Sequence, residues 1–154
     1  MPVSATLLLC FVVAIGDGDT LTARCDGTEL STLTIRLAEI DAPERGQPFG
    51  TQSKKHLASL CFHQNAEVRP TATDRYGRTV ARVTCAGTDV NATMVRAGLA
   101  WAFTRYLIDP RIATFEAVAR RERAGLWVDA APVAPWNWRV ISRERGTTSV
   151  KRTR

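Results

Sequence analysis

The chain has 154 residues, of which 45% are hydrophobic and 23% are charged. These values are ordinary for a soluble globular protein and predict one domain whose core does not depend on metals or disulfides. The formal net charge is +6, but residues 139–154 carry +5 of it and residues 1–138 only +1. The overall charge therefore does not by itself indicate a nucleic-acid ligand for the domain.

The first half of the chain predicts short strands and the second half predicts helices. Strands are expected at residues 7–15, 20–25, 31–40, 66–73 and 79–85, with a first helix at residues 49–60. A second helix is expected to start at Val90 and stop at Gly98, and residues 101–106 are expected to be extended. A third helix should open at Asp109-Pro110 and stop at Gly125. This order predicts a small α+β barrel.

The apolar run from Leu7 to Ile15 is too short to span a bilayer. The residues before it carry no positive charge, and no small-x-small cleavage site follows it, so it does not match a signal peptide. We interpret it as a buried first strand.

The four cysteines lack the C-x-x-C spacing of a zinc site. If Asp17-Gly18 forms a two-residue hairpin turn, Cys10 lies opposite Cys25 at a Cα distance of about 5.5 Å or less, which permits a disulfide. Cys61 and Cys85 flank another hairpin, whose longer turn leaves its register open. Two disulfides would favour an oxidising compartment, and the alternative is four buried thiols in a cytosolic protein.

Three polar segments interrupt the apolar pattern. They are Gly16-Asp17-Gly18-Asp19-Thr20, the stretch from Ile35 to Glu44, and Asp74-Arg75-Tyr76-Gly77-Arg78. In the second segment Pro43 ends a strand, so Asp41 and Glu44 should lie at a rim, with Arg36 upstream. Taken alone, this stretch also fits a surface turn with an ion pair.

If the strand edges adjoin, the carboxylates of Asp19, Asp41 and Glu44 converge and repel one another unless a cation or protons intervene. An oxygen-only site without Cys or His suits Ca²⁺ or Mg²⁺ better than zinc. Water and backbone carbonyls would have to supply much of the coordination shell.

Arg36 and Arg78 are the expected phosphate clamp, because the paired N–H groups of a guanidinium match phosphate oxygens. Glu44 is then the expected base that activates or orients water for phosphodiester hydrolysis. His56 falls in a helix and His63 just after it, and neither is expected to take part. This argues against His-based ribonuclease chemistry and HNH nucleases.

In their order and separations, the three segments resemble the staphylococcal nuclease (thermonuclease) family. The resemblance covers residues 7–139 and implies an OB-fold, a five-stranded Greek-key β-barrel with three α-helices. It also implies one Ca²⁺ ion bound by Asp19, Asp41 and the backbone carbonyl of Ala42. The family has Thr at that position, so a carbonyl ligand survives in this chain and a hydroxyl contact does not.

The resemblance further implies cleavage of DNA and RNA on the 5′-oxygen side of phosphorus, with 3′-phosphate products and a preference for single strands. Arg75 and Tyr76 match the positions that bind the terminal phosphate in the family. Tyr106 is matched to an aromatic residue that packs on a base, although residues 101–110 depart from the family pattern.

The main hypothesis is therefore a calcium-dependent nonspecific endonuclease, formed by residues 1–138. We expect a monomer with no membrane association and no obligate protein partner, in a secreted, periplasmic or cell-envelope location. Residues 139–154 are expected to form a disordered basic tail, either solvated or in contact with polyanions.

The alternative is a non-catalytic OB-fold module that binds single-stranded nucleic acid or a protein partner. Degenerate modules of this kind lose acids or arginines, which this chain retains. A third interpretation, a metal-stabilised structural domain, leaves Arg36 and Arg78 unexplained.

Overall fold

The computed structural model describes residues 6–27 and 32–151. Its strands are β1 (Leu8–Asp17), β2 (Thr20–Cys25), β3 (Thr32–Leu37), β4 (Ile40–Asp41), β5 (Asn65–Thr73), β6 (Thr79–Cys85), β7 (Thr88–Asp89) and β8 (Trp101–Ala102). Its α-helices are α1 (Gly50–Cys61), α2 (Val90–Arg96), α3 (Pro110–Arg121) and α4 (Pro135–Lys151), and 3₁₀ turns lie at Thr104–Tyr106 and Gly125–Val128.

Five strands close into a barrel. The sheet order is β3-β2-β1-β5-β6-β7, and β3 also pairs with β6 in parallel. An antiparallel sheet closed by one parallel pair confirms the predicted OB-type α+β barrel. The described residues contain four α-helices rather than the three that were expected.

The core fills the barrel and the space beneath the helices. Inward residues alternate along β2 and β6, as period-2 strands require, and α1, α2 and α3 contribute Leu57, Met94 and Ile112. Each of these three side chains is fully buried. Burial of side chains of this size stabilises the fold by about 1.5–3 kcal/mol each.

The β1–β2 hairpin turns one residue later than the sequence predicts. Asp17 pairs with Thr20, so the turn residues are Gly18 and Asp19. Two irregularities in β1 each add one residue, which restores the predicted register and pairs Cys10 with Cys25.

Both cysteine pairs are disulfides. Cys10 and Cys25 have Cα atoms 4.0 Å apart, and Cys61 and Cys85 are 5.4 Å apart. The first disulfide crosslinks the β1–β2 hairpin and the second ties the end of α1 to β6. The described residues contain no free cysteine.

Strand β3 ends at Leu37, three residues before its predicted end. Glu39 adopts φ 69°, which breaks the extended backbone, and the chain resumes as β4 against β8. The buried Glu39 carboxylate accepts hydrogen bonds from the backbone N–H groups of Ile108 (2.6 Å) and Asp109 (2.5 Å), and pairs with Arg82 (2.9 Å). Glu39 therefore holds the backbone of the Ile108-Asp109 segment in place.

Helix α4 occupies much of the region where the composition predicts a disordered tail. Pro135 stands at its start, and the Trp136 ring stacks on Phe103 at 5.3 Å and meets Trp101 edge-on. These contacts anchor the first turn. The residues after it form no apolar stripe, so hydrophobic periodicity does not predict this helix. Among the described residues, no helix is both long and apolar enough to cross a membrane.

Candidate active site

The site begins at the β1–β2 turn, which presses against α1 and the end of β4. A Cβ atom on Gly18 would lie 2.6 Å from the Ser53 Cβ and 2.9 Å from the Ala42 Cβ, so this position requires glycine. The close approach lets Asp19 Oδ2 accept a hydrogen bond from the Ala42 N–H at 2.7 Å. Thr20 Oγ1 donates to Asp19 Oδ1 at 3.0 Å.

Arg36 brings Asp19 and Asp41 together. Its Nη1 donates to the carbonyls of Leu37 (2.8 Å) and Ile40 (2.9 Å), which locks the guanidinium in place. Its Nη2 lies 3.1 Å from Asp41 Oδ1 and 3.3 Å from Asp19 Oδ2. Asp19 and Asp41 are only 5% and 0% exposed, so water solvates their carboxylates poorly. The charge of Arg36 compensates for this loss of solvation.

The pKa values of three neighbouring aspartates are shifted differently because their partners differ. Burial acts to raise the pKa of Asp19, but the charge of Arg36 and three hydrogen bonds outweigh it and hold the pKa below its usual value. Burial and the neighbouring Asp19 charge raise the pKa of Asp17 to about 7. Burial also raises the pKa of Asp41, against the opposing hydrogen bonds from Arg139. Asp17 lies in the motif that the sequence singled out, but it was not assigned to the site.

Glu44 lies in a loop that Gln47 holds in place. The Glu44 N–H donates to Gln47 Oε1 at 3.0 Å, and the Gln47 N–H donates back to the Glu44 carbonyl at 3.0 Å. The buried Gln47 side chain also donates to the Val133 carbonyl at 2.7 Å. A Cβ atom on Gly50 would overlap the Glu44 carbonyl oxygen, so glycine is needed where α1 begins.

Arg139 joins the site from α4 and was not predicted there. Its Nη2 lies 2.7 Å from Asp41 Oδ2, and its Nη1 lies 3.2 Å from Asp41 Oδ1 and 2.6 Å from Glu44 Oε1. Hydrogen bonding to Asp41 raises the pKa of Arg139, which therefore remains charged. The nearest sequence indication was the aromatic Trp136-Asn137-Trp138 segment that precedes it.

Arg78 forms no ion pair with Asp19, Asp41 or Glu44 in the described residues. Its neighbour Thr79 pairs with Ile35, so the backbones of Arg78 and Arg36 are close. The Arg78 Nε, however, lies 2.7 Å from Asp74 Oδ2, and the structure pairs it with this acid rather than with the site carboxylates.

The remaining predicted substrate contacts are exposed. Tyr76 is 68% exposed, and the guanidinium carbons of Arg75 and Arg78 lie 4.9 and 5.4 Å from its ring centroid. Tyr106 is 56% exposed and meets Phe103 edge-on at 4.9 Å. Tyr106 lies four residues after β8 in sequence, and β8 pairs with β4, the strand that contains Asp41.

The donor set fits a hard cation with few protein ligands. Asp19 and Asp41 offer carboxylate oxygens at one place, and the Ala42 side chain offers none, which leaves its carbonyl. Within residues 6–27 and 32–151, no three His, Cys, Asp or Glu residues are grouped to hold a metal ion. Any ion here would depend on backbone and water for the rest of its shell.

Comparisons with known proteins point to one family. The profile of the family described as "Staphylococcal nuclease homologue" matches residues 34–129. An "Uncharacterized endonuclease" of Haemophilus influenzae is 42% identical over 130 residues, covering 84% of this chain and 72% of that protein. A "Micrococcal nuclease" of Shigella flexneri is 41% identical over 143 residues, covering 86% and 80%. An "Uncharacterized endonuclease" of Escherichia coli O157:H7 is 40% identical over 129 residues, covering 83% and 82%.

Proposed function

Because the chain belongs to the staphylococcal nuclease family, whose relatives support a nuclease function, we propose that it is a Ca²⁺-dependent endonuclease. In this proposal it hydrolyses phosphodiester bonds of DNA and RNA, favours single strands and leaves 3′-phosphate ends. The main observation in its support is that Asp19 and Asp41 both contact Nη2 of Arg36. Glu44 reaches the same cluster through Arg139.

Asp19, Asp41 and the Ala42 carbonyl would hold the ion. A bound divalent cation would neutralise charge that develops on the phosphoryl oxygens. Asp19 is oriented for this task by the Ala42 N–H and the Thr20 hydroxyl. Asp41 is oriented by two guanidinium groups.

The two predicted arginines would bind the reacting phosphate. The Arg36 guanidinium is already held by two carbonyls through Nη1 and by Asp19 and Asp41 through Nη2, so binding a phosphate oxygen would require little further ordering of this side chain. Arg78 uses its Nε for Asp74, and among the described residues its terminal nitrogens have no hydrogen-bond acceptor. They remain able to donate to a second phosphate oxygen.

Glu44 would take a proton from the attacking water. Its backbone is held by Gln47, while its side chain is 34% exposed and accessible to solvent. Arg75, Tyr76 and Tyr106 would bind flanking parts of the substrate, because their exposed rings and guanidinium groups suit bases and phosphates.

A nuclease assay on denatured DNA tests this proposal. We expect activity with Ca²⁺, loss of activity with a chelator, and a decrease of about 10²–10⁴-fold in kcat for Glu44→Gln. Glu67→Gln is the matched control, because Glu67 is an exposed acid on β5. Nuclease activity that is unchanged by the chelator would contradict the proposed Ca²⁺ dependence. Binding of single strands without cleavage would indicate the non-catalytic module instead.

We also propose an oxidising location, either secreted, periplasmic or at the cell envelope, on the basis of the two disulfides. Protein isolated from its native cells and alkylated without reduction should show no modified cysteine by mass spectrometry. Alkylation of all four cysteines would contradict this location.

A further inference from the structure

The guanidinium of Arg139 lies between the carboxylates of Asp41 and Glu44, where its positive charge balances theirs. Its terminal nitrogens contact both oxygens of Asp41 and one oxygen of Glu44, at 2.6–3.2 Å. Arg36 contributes a further contact to Asp41 Oδ1. All the acceptor oxygens of the buried Asp41 side chain therefore already face positive charge.

The geometry allows Arg139 to leave without unfolding α4. The first turn of the helix is anchored by Trp136, which packs on Trp101 and Phe103. The Arg139 side chain is 38% exposed, whereas that of Asp41 is 1% exposed, so the guanidinium approaches from the solvent side. A rotamer change would move it into water, where the charge is fully solvated.

A divalent cation and Arg139 compete for the same oxygens. A Ca²⁺ ion binds carboxylate oxygens at about 2.3–2.6 Å, which would place it within a few ångströms of the guanidinium. Like charges at that separation repel strongly in a partly buried site. Arg139 also engages Glu44 Oε1, one of the two carboxylate oxygens that could accept a proton from water.

We propose that Arg139 is an internal counter-cation, which holds Asp41 and Glu44 in the metal-free protein and is exchanged for the divalent cation when the site loads. The exchange frees Glu44 Oε1 at the same step. This inference rests on the metal site of the proposed function. It implies that Arg139, a residue of α4, lowers the affinity of that site for the cation.

Calorimetric titration with CaCl₂ alone, without nucleic acid, tests the exchange. Arg139→Gln should bind Ca²⁺ about tenfold more tightly than the unaltered protein, because no cation has to be displaced. Arg139→Lys should give an intermediate affinity, since it keeps the charge but loses the paired N–H groups. Arg143→Gln, an exposed position one turn further along α4, should match the unaltered protein.

Thermal unfolding supplies a second measurement. In chelator, Arg139→Gln should melt at a lower temperature, because Asp41 loses a partner, and its stabilisation by added Ca²⁺ should exceed that of the unaltered protein. Equal or weaker Ca²⁺ affinity in folded Arg139→Gln, or no Ca²⁺ binding by any variant, would overturn the exchange. If Arg139→Gln binds Ca²⁺ more tightly but no variant has nuclease activity, only the proposed function is overturned. If the protein is an active nuclease but Arg139→Gln has unchanged Ca²⁺ affinity, only this inference is overturned.

Discussion

At the scale of single residues, the geometry of the proposed site depends on two residues that have no proposed role in metal or substrate binding. Gln47 is buried and satisfies polar groups of Glu44 and Val133, so it links the loop of the proposed base to the segment before α4. Gly18 permits the contact that brings Asp19 onto Ala42. Gln47 acts on the backbone of Glu44 and Gly18 on the approach of Asp19 to the Ala42 N–H, so both residues position groups of the proposed site.

Gln47→Ala should lower kcat about tenfold with a smaller effect on KM, because Glu44 loses its backbone support. It should also cost about 1–3 kcal/mol of unfolding free energy, since the partly buried Glu44 N–H and Val133 carbonyl lose their partners. Steady-state kinetics and urea unfolding measure the two effects. Gln52→Ala, an exposed change on α1, is the control. Unchanged kcat in Gln47→Ala would show that the loop is held by other contacts.

Gly18→Ala should destabilise the protein by about 1–3 kcal/mol, because the added methyl group would meet Ser53 and Ala42 at less than van der Waals distance. Gly146→Ala is a matched control, because it adds the same atom in a helix with open space around it. That change should stabilise the protein by about 0.5–1 kcal/mol. Equal melting temperatures for the two variants would contradict the packing argument.

At the scale of elements, helices α1 and α4 are attached to the rest of the fold in different ways. Helix α1 buries Leu57 and Ser53, and its half-buried His56 has an Nε2 atom without a hydrogen-bond partner in the described residues. Helix α4 is held at its first turn by aromatic contacts, and the rest of it is polar.

Burial lowers the pKa of His56 below its ordinary value of 6.5. The unfolded chain therefore binds a proton at a higher pH than the folded protein does, and stability falls as the pH drops from 6.5 towards the folded pKa. His56→Gln should remove this part of the decline, measured as the difference in urea midpoint between pH 7.5 and 5. His63→Gln, at an exposed position, should retain it. Identical pH profiles for His56→Gln and the unaltered protein would contradict the assignment.

At the scale of the whole molecule, charge is segregated towards one end of the chain. Residues 139–154 carry +5 of the net charge of +6, and α4 joins this segment to the site through Arg139. Arg143 and Arg145 continue along the same helix on exposed positions.

Truncation after Ser142 should weaken substrate binding and reduce its salt dependence, while Arg139 and the site remain. Each lost phosphate contact should lower the slope of log affinity against log salt by about 0.7 for single strands. Fluorescence anisotropy with labelled single strands in chelator measures the slope. Arg121→Gln, at the exposed end of α3, should leave it unchanged. An equal slope after truncation would show that the segment is merely solvated.

The sequence alone determined most of the barrel, because period-2 alternation and Gly-containing turns are local properties that specify which face of a strand is buried. The β1–β2 register shows both the strength and the limit of such an argument. The turn was placed one residue early, yet two added residues in β1 returned Cys10 to Cys25. The extended segment after Leu37 was also too long, because the positive φ of Glu39 depends on its distant partners Arg82, Ile108 and Asp109.

Asp19, Arg36 and Asp41 were singled out from sequence because strand ends and turns bring them to one rim. Only the tertiary structure decided that Arg139 completes the cluster, whereas the pairing of Arg78 with Asp74 is local to their turn. Arg139 lies 98 residues from Asp41 in sequence, and its position follows from the packing of Trp136 on Trp101 and Phe103. No local pattern encodes that contact, because it depends on how an aromatic cluster closes over the finished barrel.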